Sequence, residues 1–152
     1  TLFQRHPFQD FYQNNNNNQS FLHVYEESSR FQIGNQRSNR RWIKKAYGEV
    51  WFQALKSSNV LCSGTTYGTQ PAIDYYTRAM VHQYDITNCT IYGCDQGHHN
   101  FLIRSQLLLS TDIINNITIH PRGEGTANTI GTLLDGENTT LRSLGLLIQS
   151  NN

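Results

Sequence analysis

The chain has 152 residues, 15% of them charged, and a formal net charge of +1. The length fits one domain or most of one. The low charge argues against a nucleic-acid partner, which clustered Lys and Arg would have to hold. The basic residues between Arg37 and Lys45 have the spacing of the solvated side of a helix. No run approaches the ~20 apolar residues that a membrane span requires.

The first predicted elements are a loop and a strand. Residues 13–20 are Asn-rich and predict a solvated loop, because such a run offers no side chains to a packed core. Phe21 to Tyr25 alternates weakly and predicts a short strand that ends at Glu26 and Glu27. Adjacent carboxylates in a strand face opposite sides, so these two glutamates are not expected to form an acid–base pair.

Two helices are predicted next. Ser38 to Tyr47 has helical spacing, with Ser38 as its cap and Gly48 as its end. Val50 to Leu55 predicts a short second helix. The side chains expected to point inward from this second helix are Trp51, Phe52 and Leu55.

The middle of the chain predicts a strand, a loop and two further helices. Asn59 to Cys62 is short and apolar and runs into the small-residue segment Ser63 to Thr69. Pro71 opens a helix at a position that tolerates proline. The buried stripe predicted for this helix is Ile73, Tyr76, Thr77 and Met80. Asp95 starts another helix, whose apolar residues are Phe101, Leu102, Leu107 and Leu108.

Short apolar runs separated by Gly-containing turns follow and predict strands at Ile117 to Ile119, Thr129 to Leu133 and Leu144 to Ile148. Strands and helices mixed in this order predict a single α/β layered domain over residues 1–152. The chain opens without Met and stops directly after an apolar run, so we expect it to be a piece of a longer protein.

Three cysteines are present, and Cys89 and Cys94 have the spacing C-x4-C without a second pair. A four-ligand zinc site is therefore not expected from this chain. In an oxidising compartment Cys89 and Cys94 would be the nearest pair, leaving Cys62 odd; three free thiols are the open alternative. Glycosylation sequons fit a secretory lumen and begin at Asn18, Asn88, Asn116 and Asn138.

Two segments could carry chemistry. At Ser63-Gly64-Thr65, backbone N–H groups and hydroxyls are presented without a bulky side chain, so a sugar ring could approach closely; the alternative is an ordinary turn. Asp95-Gln96 stands at a helix start. Its carboxylate either caps that helix or faces a cleft, where it could accept a proton while the amide binds hydroxyls.

The histidines do not indicate a metallohydrolase. His98 and His99 are adjacent, so they face different sides of a helix, whereas a two-histidine metal site needs i, i+4 spacing. His120 stands at a strand end, where a satisfied or surface histidine is the ordinary interpretation. A hydrolase of the nucleophile-elbow type is excluded because no Gly stands at the required place before Ser63.

Five segments stand in a particular order along the chain: Leu2 to Phe8, Ile33 to Gly48, Cys62 to Gly68, Tyr76 to Met80 and Asp95 to Asn100. Their order and spacing resemble a eukaryotic family of GT-A-fold glycosyltransferases. The resemblance covers almost the whole chain, and although no single segment is specific, the ordered set is.

The resemblance implies part of a GT-A-type (Rossmann-like) mixed sheet flanked by helices, without its N-terminal nucleotide-binding strands. The implied activity transfers a sugar from a nucleotide-sugar donor to a hydroxyl of a glycan or protein acceptor. Asp95 would be the catalytic residue, as general base or electrostatic partner. The implied substrate-binding residues are Ser63, Gly64, Thr65, Gln96 and Asn100, with Asn100 also supporting its helix.

Such enzymes hold a divalent cation, Mn²⁺ or Mg²⁺, on an Asp-x-x-Asp or Asp-x-Asp element and a later His. This chain contains no such element, so its metal ligands are expected outside it and the piece alone is expected to be inactive. The resemblance also implies the Golgi or another secretory lumen. The alternative function is a non-catalytic glycan-binding or structural module on the same fold.

Overall fold

A computed structural model describes residues 2–3 and 20–128 of the chain. The Asn-rich residues 13–19 and the predicted strands Thr129 to Leu133 and Leu144 to Ile148 lie outside these ranges. The elements of the described part are β1 (Leu2–Phe3), β2 (Phe21–Glu26), α1 (Arg37–Leu55), β3 (Leu61–Gly68), α2 (Gln70–Thr87), α3 (Cys94–Arg104), a 3-10 helix (Leu107–Ser110), β4 (Asn116–His120) and β5 (Ala127–Asn128).

A three-stranded mixed sheet in the order β3-β2-β4 forms the centre of the fold. The middle strand β2 pairs antiparallel with β3 and parallel with β4. Every residue of β2 from Phe21 to Tyr25 is buried, because helices and neighbouring side chains cover both faces of this strand. The short strands β1 and β5 pair antiparallel with each other. The prediction of an α/β layered arrangement is confirmed.

The first helix contains the break that the sequence predicts. Gly48 has φ 79° and ψ −176° inside α1, so two helical segments meet there at a kink. Positive φ is strained for residues with a Cβ, which is why glycine serves at this point. The start of the helix differs from the prediction. α1 begins at Arg37 after Gln36 without a side-chain cap, so Ser38 already lies inside the helix.

Three predicted core positions are wrong. Trp51 is 39% exposed, although its ring edge packs on Phe101, and Thr77 is exposed. Leu107 is also exposed, whereas Leu108 is buried. The leucines leave the helical pattern because α3 ends at Arg104 and Gln106 takes a left-handed conformation before the 3-10 helix.

The strand β3 is longer than predicted. We expected a loop from Ser63 onward, but the strand continues to Gly68, because Leu22 and Val24 of β2 pair with Gly68 and Thr66. The register then shifts, and Glu26 pairs with Leu61. The segment Cys62 to Thr65 therefore bulges out of the regular ladder. A bulge re-aims side chains, and this one contains the predicted Ser-Gly-Thr group.

Helix α3 packs on β3 and between the other two helices. Its close approach to α1 depends on Gly97, where a Cβ would lie 2.8 Å from the Cβ of Trp42. At the start of α3, the indole nitrogen of Trp42 donates a hydrogen bond of 2.7 Å to the carbonyl of Tyr92. These contacts fix the N-terminal turn of α3 against the body of the domain.

Candidate functional site

The bulge of β3 and the first turn of α3 bring three predicted residues together. The hydroxyl oxygen of Ser63 lies 2.9 Å from Oδ2 of Asp95 and 3.0 Å from Oε1 of Gln96. The backbone N–H of Ser63 also donates to Oε1 of Gln96, at 3.3 Å. A hydroxyl has one proton, so it donates to only one of these acceptors at a time. When the hydroxyl donates to Gln96, the carboxylate of Asp95 is open to a donor such as a ligand hydroxyl.

Asp95 reaches across to the strand. It lies in the first turn of α3, where a negative charge is favourable because it faces the positive end of the helix dipole. The side chain is exposed, and its carboxylate accepts a hydrogen bond from the hydroxyl of Ser63 on β3. Gly93, the residue that precedes the helix, supplies no side-chain cap. The sequence left two roles open for this carboxylate, either capping its own helix or facing away from it. The hydrogen bond with Ser63 favours a carboxylate that faces away from the helix.

Glu27 is a member of the cluster that sequence analysis missed. Its Oε1 accepts a hydrogen bond of 2.7 Å from Nε2 of Gln96. Burial raises the pKa of Glu27, while this hydrogen bond and the charge of Arg122 oppose the rise. Because the amide nitrogen of Gln96 is tied to Glu27, its oxygen faces Ser63. The one feature of the sequence that could have indicated this role is the position of Glu27 directly after the central strand.

The neighbouring glutamate serves the structure instead. Glu26 forms an ion pair of 2.9 Å with Arg104, and both side chains are largely buried. Asn59 also donates to Glu26, at 2.9 Å, and its own carbonyl accepts from Arg104 at 2.7 Å. Glu26 therefore ties α3 to the sheet, and the two glutamates have different partners, as the sequence predicts for adjacent strand residues.

Asn100 anchors the helix that carries the site. Its side-chain amide makes two hydrogen bonds to the backbone of Leu61, at 2.8 and 3.0 Å, and one of 2.9 Å to the carbonyl of Gln96. The residue is completely buried. This placement differs from the substrate contact expected for Asn100 and agrees with its expected support of the helix.

Gly64 and Thr65 complete the bulge. Gly64 is exposed, and a Cβ built on it would meet only the sulfur of Cys62, at the ordinary contact distance of 3.7 Å. The fold therefore does not require glycine at this position, and the space above it is open. Thr65 is half-buried beside it. An open backbone therefore lies next to a hydroxyl, a carboxylate and an amide.

The two adjacent histidines of α3 bond to different helices. Nδ1 of His98 lies 2.6 Å from the hydroxyl of Tyr47 on α1, and Nδ1 of His99 lies 2.8 Å from the hydroxyl of Tyr76 on α2. Both histidines are fully buried. Burial lowers the pKa of His98 and lowers that of His99 to about 4. They face different sides, as predicted, and do not share one ion.

His120 belongs to a stack of rings across the sheet. Its Nε2 lies 2.7 Å from Nδ1 of His23 on β2, and its ring stacks on those of His23 and Tyr25. The hydroxyl of Tyr25 lies 2.8 Å from that of Thr126. The interpretation of His120 as a satisfied histidine fits these contacts.

The residues that the structure describes include one cluster of potential metal ligands. Among them, the one group of three or more His, Cys, Asp or Glu ligand atoms that lie close together is Cys89, Cys94 and His98. Hard cations prefer carboxylate and carbonyl oxygens, whereas sulfur and imidazole select zinc and other softer metals. Cys89 and Cys94 form a disulfide, and Cys62 is free and buried.

A separate cavity of about 410 Å³ opens between α2 and the 3-10 helix. Its lining includes Tyr75, Arg78, His82 and Leu108. None of the predicted site residues lines it. The cavity is therefore distinct from the cluster around Ser63.

The described residues form an α/β fold with a mixed sheet flanked by helices. A cluster of a serine hydroxyl, a carboxylate and an amide lies between β3 and α3. No protein-family model, curated protein or solved structure matches the chain. Among the residues that the structure describes, no helix is both long and apolar enough to span a membrane.

Proposed function

We propose that this chain is the sugar-facing part of a GT-A-type glycosyltransferase, which transfers a sugar from a nucleotide-sugar donor to an acceptor hydroxyl. One observation carries the proposal. The hydroxyl of Ser63 lies within hydrogen-bonding distance of both Asp95 and Gln96. These two residues are distant from Ser63 in sequence, and all three were expected in one site. The mixed sheet flanked by helices is compatible with part of such a fold.

Each residue has a role that its contacts support. Asp95 is exposed, so its carboxylate is accessible to an acceptor hydroxyl and takes the proton as that oxygen attacks the anomeric carbon. Ser63 and Gln96 bind sugar hydroxyls, and Gly64 lets the ring approach the backbone. Glu27 acts through Gln96, because its hydrogen bond to Nε2 holds the amide oxygen toward Ser63.

A divalent cation, Mn²⁺ or Mg²⁺, belongs to the proposal for the longer protein, where it would shield the charge of the departing pyrophosphate. The roles proposed for Ser63, Asp95 and Gln96 are direct contacts with the sugar or the acceptor and do not involve the cation. The piece by itself is proposed to be inactive.

A Golgi or other secretory location is also proposed. The disulfide between Cys89 and Cys94 supports it, because disulfides persist in oxidising compartments. The sequon residues Asn88 and Asn116 are exposed, as glycosylation requires.

The experiment is a donor screen on the product of the full-length gene, with release of the nucleoside diphosphate measured against a panel of nucleotide sugars, with and without Mn²⁺. We expect Mn²⁺-dependent release with one or a few donors, increased by a hydroxyl acceptor. Binding of glycans without release from any donor would favour the non-catalytic alternative and would contradict the proposed transfer.

A further inference from the structure

Two cysteines and a histidine meet where α3 begins. Cys94 is the first residue of α3, His98 follows one turn later on the same face, and Cys89 comes from the segment after α2. Their ligand atoms all lie within 4.8 Å of one another. Cys89 is 5% exposed, Cys94 is 2% exposed and His98 is 0% exposed, so the cluster is buried.

A chain of hydrogen bonds fixes the tautomer of His98. The hydroxyl of Tyr47 donates to Oε1 of Gln83 at 3.1 Å, so its oxygen accepts from Nδ1–H of His98 at 2.6 Å. A neutral imidazole protonated at Nδ1 carries its lone pair on Nε2. That Nε2 atom is buried and has no hydrogen-bond partner. A buried acceptor without a donor is costly unless something else takes its lone pair.

We propose that the reduced protein binds one zinc ion through the thiolates of Cys89 and Cys94 and through Nε2 of His98, with a water molecule as the fourth ligand. Two thiolates and an imidazole are typical zinc ligands. A tetrahedral zinc with Zn–S bonds of about 2.3 Å holds its two sulfurs about 3.8 Å apart. Side-chain movements no larger than the present spacing of the ligand atoms would therefore be enough to accommodate the ion.

The site exists in two exclusive states. With the disulfide closed, neither sulfur is a thiolate and zinc does not bind. A dithiol reductant supplies two electrons and two protons, which convert the disulfide to two thiols while the reductant becomes a disulfide itself. Zinc then displaces the two thiol protons to solvent. The hydrogen bond from His98 to Tyr47 is the outer-shell contact that usually orients a histidine ligand.

The location connects this site with the cluster on β3 without sharing a residue with it. Cys94 directly precedes Asp95, so a disulfide or a zinc ion there anchors the turn from which the carboxylate extends. The zinc site does not depend on the proposed glycosyl transfer. It would exist equally in a non-catalytic module.

The test uses the full chain, reduced with a phosphine, desalted without oxygen and titrated with zinc against a chromophoric chelator. We expect one zinc per reduced chain and none per oxidised chain. Zinc should slow the reaction of a thiol reagent with Cys89 and Cys94 of the reduced protein and should leave the slow reaction of the buried Cys62 unchanged. Circular dichroism of each form reports whether the fold is retained.

Variants separate this site from unspecific thiol binding. His98→Gln keeps both thiols, and we expect its zinc affinity to fall by at least the ~10–100-fold typical of lost outer-shell contacts. Tyr47→Phe should weaken zinc by about 10-fold. Cys62→Ser, which alters the remaining cysteine, is the matched control and should bind as the parent does. A reduced parent that binds no zinc, folded or unfolded, or a His98→Gln variant that binds equally tightly, would overturn the assignment.

Discussion

The hydroxyl of Ser63 on β3 lies 2.9 Å from the carboxylate of Asp95 on α3, and 32 positions of sequence separate the two residues. A register shift in β3 and the hydrogen bonds of Asn100 to Leu61 produce this contact, since the first moves Ser63 out of the ladder and the second fixes α3 beside it. The candidate site therefore depends on the packing of the helix against the strand.

Gly64→Ala separates ligand approach from folding. A Cβ at this position would meet only the sulfur of Cys62 at 3.7 Å, so we expect the free energy of unfolding to change by less than about 0.5 kcal/mol. A sugar ring that approaches the backbone there would meet the new methyl group. We expect KM for the donor or acceptor of the full-length enzyme to rise while stability is unchanged. An unchanged KM would remove Gly64 from the sugar site.

Gly97→Ala is the matched change inside the fold. Its Cβ would lie 2.8 Å from the Cβ of Trp42, so α3 and α1 must separate to admit it. Overpacking of this kind typically costs about 1–3 kcal/mol. Urea denaturation of parent and variant measures the difference. Equal midpoints would show that the two helices approach less closely than described.

The strand pairing was only partly predictable. The apolar residues of β2 and β4 indicate strands, and both are confirmed. The small polar residues from Ser63 to Gly68 favour a loop by local pattern, but pairing with β2 makes them a strand with a bulge. Long-range hydrogen bonds of this kind are not encoded in a short window, which is why the prediction stopped at Cys62.

The site was also predicted only in part, because some of its contacts depend on long-range packing. Ser63, Asp95 and Gln96 were recognised from the order of motifs, and the structure brings them together. Glu27 was not recognised as their partner, because only tertiary packing places the end of β2 beside α3. The burial of Asn100 likewise follows from that packing and not from its local sequence.

His99 makes stability depend on acid pH. Burial lowers its folded-state pKa to about 4, below the ordinary value of 6.5, so the unfolded chain binds the proton more readily. The contribution of neutral, buried His99 to the free energy of unfolding is therefore present above pH 6.5 and is lost as pH falls toward 4. Linkage gives a loss of about 3 kcal/mol between pH 7 and pH 4, and the lowered pKa of His98 adds to it in the same direction.

Denaturation of the parent and of His99→Gln at pH 7 and pH 4 measures this dependence. We expect the variant to be less stable at pH 7 and to lose less stability on acidification. His82→Gln changes an exposed histidine on α2 and is the control, with the pH dependence of the parent. Identical pH profiles for parent and His99→Gln would contradict the description of His99 as a buried neutral side chain.

Glu27→Gln tests the residue behind Gln96 and has the opposite pH dependence. Burial raises the pKa of Glu27, so its folded form favours the protonated acid, and stability is lost as pH rises through the raised pKa. The glutamine keeps an oxygen for Nε2 of Gln96 without the charge. We expect it to be more stable than the parent at pH 7, with the gain disappearing as pH falls below the ordinary glutamate pKa of 4.5.

Activity distinguishes the positioning role of Glu27 from a structural one. In the full-length enzyme Glu27→Gln should retain most of kcat, because the amide of Gln96 stays oriented. Glu27→Ala frees that amide and should lower kcat at a stability measured to be adequate. Equal kcat values for the two variants would contradict the positioning role.

The most direct test of the account is kcat for nucleotide-sugar transfer by the full-length protein with Asp95→Asn, beside the control Asp74→Asn. Both aspartates are exposed, but Asp74 lies on α2 and pairs with Arg78 at the surface. Loss of a general base typically costs about 10²–10⁴-fold in rate. We predict a loss of this size for Asp95→Asn and parental activity for Asp74→Asn. Parental activity in Asp95→Asn, with its fold intact, would contradict the assignment of the site.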